Sequence, residues 1–109
     1  MNSPSLFTKQ RYVENVAAAD TDEELLAAPG AGKRIVVLGY EISAAGVGNI
    51  WLESSTTTQI TCRHETVAGT NIIVRDAYIP CAVNESLTFT SVGAGISTHS
   101  LAITYQVEG

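Results

Sequence analysis

Lys33–Ser54 reads KRIVVLGYEISAAGVGNIWLES, and no other stretch of this chain is as apolar, as long or as sharply bounded. Val36, Leu38, Tyr40, Ile42 and Ala44 recur at every second position, the period of a strand whose side chains alternate across a sheet. Ile35 and Val37 are apolar at the intervening positions, where Glu41 and Ser43 are polar. Gly39 sits where the pattern changes, and a glycine inside a strand marks a bulge or bend. A bulge there returns Ile35 and Val37 to the same core, in preference to an intersubunit surface. AGVG (Ala45–Gly48) then has the composition of a hairpin turn. The stretch is therefore expected to form two long strands joined at that point. In the second, Ile50 and Leu52 alternate with Asn49, Trp51 and Glu53. Trp51 points away from Ile50 and Leu52, either packed under a neighbouring loop or placed at an interface, where aromatic residues are enriched.

The flanking sequence carries the same signature. Gln10–Val16 is expected to be a first strand and Asp22–Ala28 a short one, because Pro29-Gly30 leaves a helix there only about two turns. Thr56–Glu65 alternates, with Thr58, Ile60, Cys62 and His64 on one face and Thr57, Gln59, Thr61, Arg63 and Glu65 on the other. AGTN (Ala68–Asn71) reads as a turn, and Asn71–Ala77 as a short buried strand. Ile79–Glu85, with Pro80, reads as a loop or edge crossing. Ser86–Val92 turns Leu87 and Phe89 inward and Thr88 and Thr90 outward, and Gly93–Gly95 makes a turn. Ser97–Glu108 closes the chain with Leu101, Ile103, Tyr105 and Val107 on one face. Seven or eight short strands at regular spacing predict an all-β fold, an antiparallel sandwich or barrel. Residues 1–9 are polar, contain Pro4 and have no period; they read as an extended arm, with Leu6 and Phe7 as anchors should it order on a partner. Residues 10–109 read as one domain.

The length, 109 residues, is that of one domain, and an apolar fraction of 45% is enough to build a core. A domain this small is only marginally stable alone, so oligomerisation is a natural way to bury more surface. The net charge of −5 and six scattered basic residues argue against nucleic-acid binding, which needs clustered Lys and Arg. No apolar run approaches the length of a membrane span, and MNSPSLFTKQ has no signal-peptide pattern. Cys62 and Cys81 form neither a disulfide framework nor a CxxC motif, and are expected to be two buried, reduced thiols.

The sequence offers little catalytic chemistry, and no enzyme activity is expected. PGAGK (Pro29–Lys33) resembles a phosphate loop, but the required positions hold Ala27 and Arg34, and strand patterning follows where a helix should start. Cys62 and His64 share a strand face, yet such neighbours are common and no orienting third group is evident. Cys62, His64, Cys81 and His99 match no zinc-site spacing. The acidic run Asp20, Asp22, Glu23 and Glu24 lacks the glycine and closing glutamate of a calcium loop, and reads as solvated. No cofactor or metal is expected.

GKRIVVLGYEISAAGVGNIWLESSTTT (Gly32–Thr58), Pro80, ESLTFTSVGAG (Glu85–Gly95) and LAITYQV (Leu101–Val107) together resemble small β-sandwich structural proteins of tailed-bacteriophage virions, of the capsid decoration or cement type. The resemblance covers about Asp22–Glu108 and rests on apolar patterns and glycine turns. It implies a jelly-roll-like sandwich that oligomerises, often as a trimer. It also implies a place on the capsid surface of the virion, after synthesis in the host cytoplasm, with the major capsid protein as partner. Leu6, Phe7 and Trp51 are then the candidate interface residues. A tail, baseplate or fibre-tip module that binds a receptor is the alternative.

Overall fold

A computed structural model describes residues 10–16, 23–55, 58–93 and 99–109, giving strand placement and pairing alone for 10–16. Among the described residues the chain is all β-strand and turn: β1 (Gln10–Val16), β2 (Glu23–Leu26), β3 (Arg34–Ser54), β4 (Thr58–Gln59), β5 (His64–Val74), β6 (Ile79–Pro80), β7 (Leu87–Val92) and β8 (His99–Glu108). Every pairing is antiparallel.

β3 is one strand of 21 residues, not the two expected. It is paired along both edges. One edge carries β6 at Val36–Val37, β5 from Tyr40 to Ile50, and β4 at Glu53–Ser54. The other carries β8 from Arg34 to Ala44, then β7 from Asn49 to Ser54. Outside these, β1 pairs with β8 and β2 with β7.

The expected reversal at Ala45–Gly48 does occur, but as a bend. Straight, β3 would hold Ile35 and Ser54 about 60 Å apart. Instead, the Cys81 amide donates to the Ile35 carbonyl (2.8 Å) and the next amide, Ala82, donates to the Ser54 hydroxyl (3.0 Å). The two arms of β3 are thus folded onto each other without pairing to each other. They belong to opposite layers of a β-sandwich, β1-β8-β3 and β3-β7-β2, joined through the bend into one hydrogen-bonded sheet.

Two offset bulges make this bend. Between Ala44 and Ala45 the extra residue lies on β5, where Gly69 takes φ +80°. Between Ala45 and Gly48 it lies on β3. Each bulge sharpens the local twist while pairing resumes beyond it. The Thr66 hydroxyl, buried, donates to the Gly46 carbonyl at 2.8 Å and satisfies an acceptor within the bulge. AGTN is therefore a bulge inside a continuous strand rather than the expected turn, and Ile73, 48% exposed, does not belong to a buried strand.

The bulge expected at Gly39 is present. Val37 opposes Tyr105 and Gly39 opposes Thr104, so one extra residue enters β3. The inward side chains then pair directly across β3 and β8: Ile35 with Val107, Val37 with Tyr105, Tyr40 with Ile103, Ile42 with Leu101. A Cβ at Gly39 would lie 2.8 Å from the Val74 carbonyl oxygen, so no other residue fits without a backbone shift. The core joins Ile35, Val37, Tyr40, Ile42, Leu101 and Ile103 of one layer to Leu25, Ile50, Leu52, Leu87 and Phe89 of the other, with Cys81 buried among them. Burying each large side chain contributes about 1.5–3 kcal/mol.

The strand expected over Thr56–Glu65 breaks after Gln59. The Leu52 amide donates to the Thr61 hydroxyl (3.0 Å), Thr61 donates to the Cys62 carbonyl (3.1 Å), and the Gln59 amide donates to the Thr61 carbonyl (2.8 Å). Side-chain bonds of this kind replace ladder bonds and end the strand. The shared face of Thr58, Ile60, Cys62 and His64 is lost with it.

Candidate functional site

The outer face of the β3–β7 arm holds a buried polar cluster. Trp51 and Glu53 alternate with Ile50 and Leu52, as expected, and stand opposite Thr90 and Thr88 on β7. The Trp51 indole donates to Glu53 Oε2 (3.1 Å), and the Thr88 and Thr90 hydroxyls reach Glu53 Oε1 (3.1 and 3.0 Å). Thr88 also reaches the Ser55 carbonyl, so its single proton is shared between two acceptors. Trp51, Glu53, Thr88 and Thr90 are all buried: Thr88 and Thr90 face outward as expected, but that face is covered. The Arg63 guanidinium lies 4.3 Å from the centre of the Trp51 ring, a cation–π contact. Trp51 is only 8% exposed, so in this chain it packs under the 60–63 loop. Leu6 and Phe7, the other candidate interface residues, lie outside the described residues.

The bend presents a different surface. Val47 and Val67 are 64% and 60% exposed, and flank the same pair of bulges. Val92, also exposed, pairs with Asn49 at the adjoining end of β7. Gly93 follows, with its absent Cβ 2.6 Å from the Gly48 Cα and 2.7 Å from the Val47 carbonyl. By sequence, Val47 falls within the AGVG turn and Val67 belongs to no expected strand or turn. Their exposure follows from the bulges, which periodicity does not reveal.

A third cluster gathers where β5 begins. Cys62 Sγ lies 3.7 Å from both ring nitrogens of His64, and the Tyr40 hydroxyl lies 2.7 Å from His64 Nε2. Burial lowers the His64 pKa from its usual 6.5, and burial raises that of Tyr40, with a smaller contribution from Cys62. Tyr40 was legible only as a core residue; its contact with His64 is made across paired strands 24 residues apart.

The two cysteines differ, contrary to expectation: both are free, but Cys62 is exposed and Cys81 buried. Burial pushes the Cys81 thiol up to about 11 despite a hydrogen bond with Ser54. His99 packs edge-on against Phe89 in the core, so Cys62, His64, Cys81 and His99 do not converge. Among the described residues no three His, Cys, Asp or Glu side chains could hold a metal ion, and no helix is long and apolar enough to cross a membrane. Glu23 and Glu24 pair with β7, while Asp20 and Asp22 lie outside the described residues. PGAG turns back on itself through a bond from the Lys33 amide to the Gly30 carbonyl (3.1 Å), and β3 follows directly.

No protein-family model matches the chain, and no curated protein matches it. Among solved structures, the chain is similar to one from the cyanophage Pam1 capsid asymmetric unit, at 8% identity and a TM-score of 0.50, over 91% of this chain and 83% of that one. A slighter likeness, TM-score 0.34 at 11% identity, is to a chain of the virus-like particle of the Macrobrachium rosenbergii extra small virus, over 93% of this chain and 80% of that one. At these identities the likeness is one of fold: the chain shares a β-sandwich architecture with a protein of the Pam1 capsid asymmetric unit.

Proposed function

We propose that this chain is a structural protein of a virion, and specifically a decoration or cement protein that binds the outer capsid and stabilises it. The observation that carries the reading is the fold shared with the Pam1 capsid chain over 91% of this one. The sequence resemblance to tailed-phage decoration proteins supports it independently. In this reading the major capsid protein is the partner, the chain acts as a homotrimer, and its role is mechanical rather than catalytic. Several capsid contacts made at once convert modest affinities into high avidity. The exposed valines at the bend supply apolar contact surface.

Quantifying the chain in purified particles tests the reading. Hundreds of copies per virion support decoration; a few copies sink it in favour of a tail, baseplate or fibre-tip module. Particles lacking the protein are expected to lose their DNA faster on heating or osmotic shock. Equal loss removes the stabilising role.

A further inference from the structure

We propose that Cys62, His64 and Tyr40 form a thiol–imidazole–phenol relay that makes Cys62 the site at which this protein is covalently modified by thiol-directed electrophiles, disulfides above all. The three residues come from separate places: β3, the first position of β5, and the loop before it. The sulfur is exposed and stands 3.7 Å from the imidazole, close enough to pass its proton with a small rotation. The Tyr40 hydroxyl lies 2.7 Å from Nε2, a nitrogen that the sulfur also approaches to 3.7 Å. The tautomer required is the one whose Nε2–H donates to the Tyr40 oxygen; it leaves the lone pair on Nδ1, 3.7 Å from the sulfur. Burial holds the imidazole below its usual 6.5, which favours its neutral form, the form with a lone pair.

The step is thiol–disulfide exchange. Cys62 Sγ attacks one sulfur of the disulfide as its proton passes to His64 Nδ1. A new S–S bond forms, the original S–S bond breaks, and the leaving sulfur departs as a thiolate with the electron pair. His64 then returns its proton to solvent. The disulfide is the only co-reactant. Cys81 does not compete, since it is buried in the core and its thiol resists ionisation to about pH 11.

The test uses the full chain with 5,5′-dithiobis(2-nitrobenzoate) at pH 7. One equivalent of thionitrobenzoate is expected quickly from the native protein, and the second only after denaturation. The fast equivalent disappears in Cys62→Ser. The native rate at Cys62 is expected to exceed the per-thiol rate in urea by about tenfold, since a free thiol is only a few per cent thiolate at pH 7. His64→Gln brings the native rate down to the unfolded level, and Tyr40→Phe falls between. Continued protection of Cys81 in each variant shows that the core is intact. The proposal fails if native Cys62 reacts no faster than the unfolded thiols, a comparison that needs no variant. It also fails if His64→Gln, with Cys81 protected, leaves the rate unchanged, or if Cys81 reacts first.

Discussion

Ile35 and Ser54 lie nineteen residues apart on one strand, yet they are bonded to consecutive amides, Cys81 and Ala82. This clasp holds the two arms of β3 in opposite layers. Around it, Asn84 donates its amide to the Lys33 carbonyl (2.7 Å), Ser55 donates to the Ser86 carbonyl (2.7 Å), and Ser54 donates to Glu85 Oε1 (2.6 Å). The loop after β6 thus ties the start of β3 to its end, while the paired bulges set the bend at its middle.

At the bend, the buried Thr66 hydroxyl is the partner of the Gly46 carbonyl. Thr66→Val keeps the shape and leaves that acceptor unsatisfied. Urea denaturation is expected to show a loss of about 1–3 kcal/mol with the m-value unchanged. A loss below experimental error would mean that the carbonyl has another donor.

Gly93 and Gly30 both adopt positive φ, +131° and +115°, but their surroundings differ. A Cβ at Gly30 meets nothing within 4 Å, whereas one at Gly93 would collide with the Gly48 and Val47 backbone. Both alanine variants bear a conformational cost of about 1–3 kcal/mol. Gly93→Ala is expected to cost more, because backbone atoms cannot rotate aside. Equal melting temperatures for the two variants would contradict the close packing of β3 against the end of β7.

Glu53 is buried with three neutral donors around it. Glu53→Gln places an amide N–H₂ where an acceptor is required, so one donor loses its partner. The expected loss is about 1–3 kcal/mol. Trp51 is the only tryptophan in the chain, so its fluorescence reports on the site directly. Its emission is expected to shift to the red in Glu53→Gln, and again in Arg63→Ala as the ring face opens to water. An unshifted spectrum in both variants would show that neither residue shields the indole.

Cys81 predicts an alkaline weakness. Its pKa rises from 9.0 to about 11 on folding, so the neutral thiol is the form the core accepts. The resulting stability is present in full below pH 9. It is lost as the pH rises from about 9 through 11, because the unfolded chain ionises first. Melting temperatures measured from pH 8 to 11 should fall more steeply for the wild type than for Cys81→Ala. Parallel curves would assign the alkaline loss to other groups.

Strand identity was legible in the sequence wherever one face is buried and the period is two. Gln10–Val16 is bounded as expected, the parity change at Gly39 announced its bulge, and Leu87, Phe89, Leu101 and Ile103 are core residues as read. The Trp51–Glu53 alternation also placed both side chains on one face, although nothing local said that this face is covered. What sequence could not decide was how β3 ends. AGVG has the composition of a turn, and composition does not distinguish a hairpin, whose arms pair with each other, from a bend whose arms enter separate layers. That choice rests on where β5, β7 and β8 dock along β3, and on the clasp at Cys81 and Ala82. The Cys62–His64 neighbourhood followed the same rule: local spacing supplied two members, and only pairing across the sheet brought in Tyr40. Local pattern fixes which face a side chain takes, while bonds between distant segments fix what that face meets.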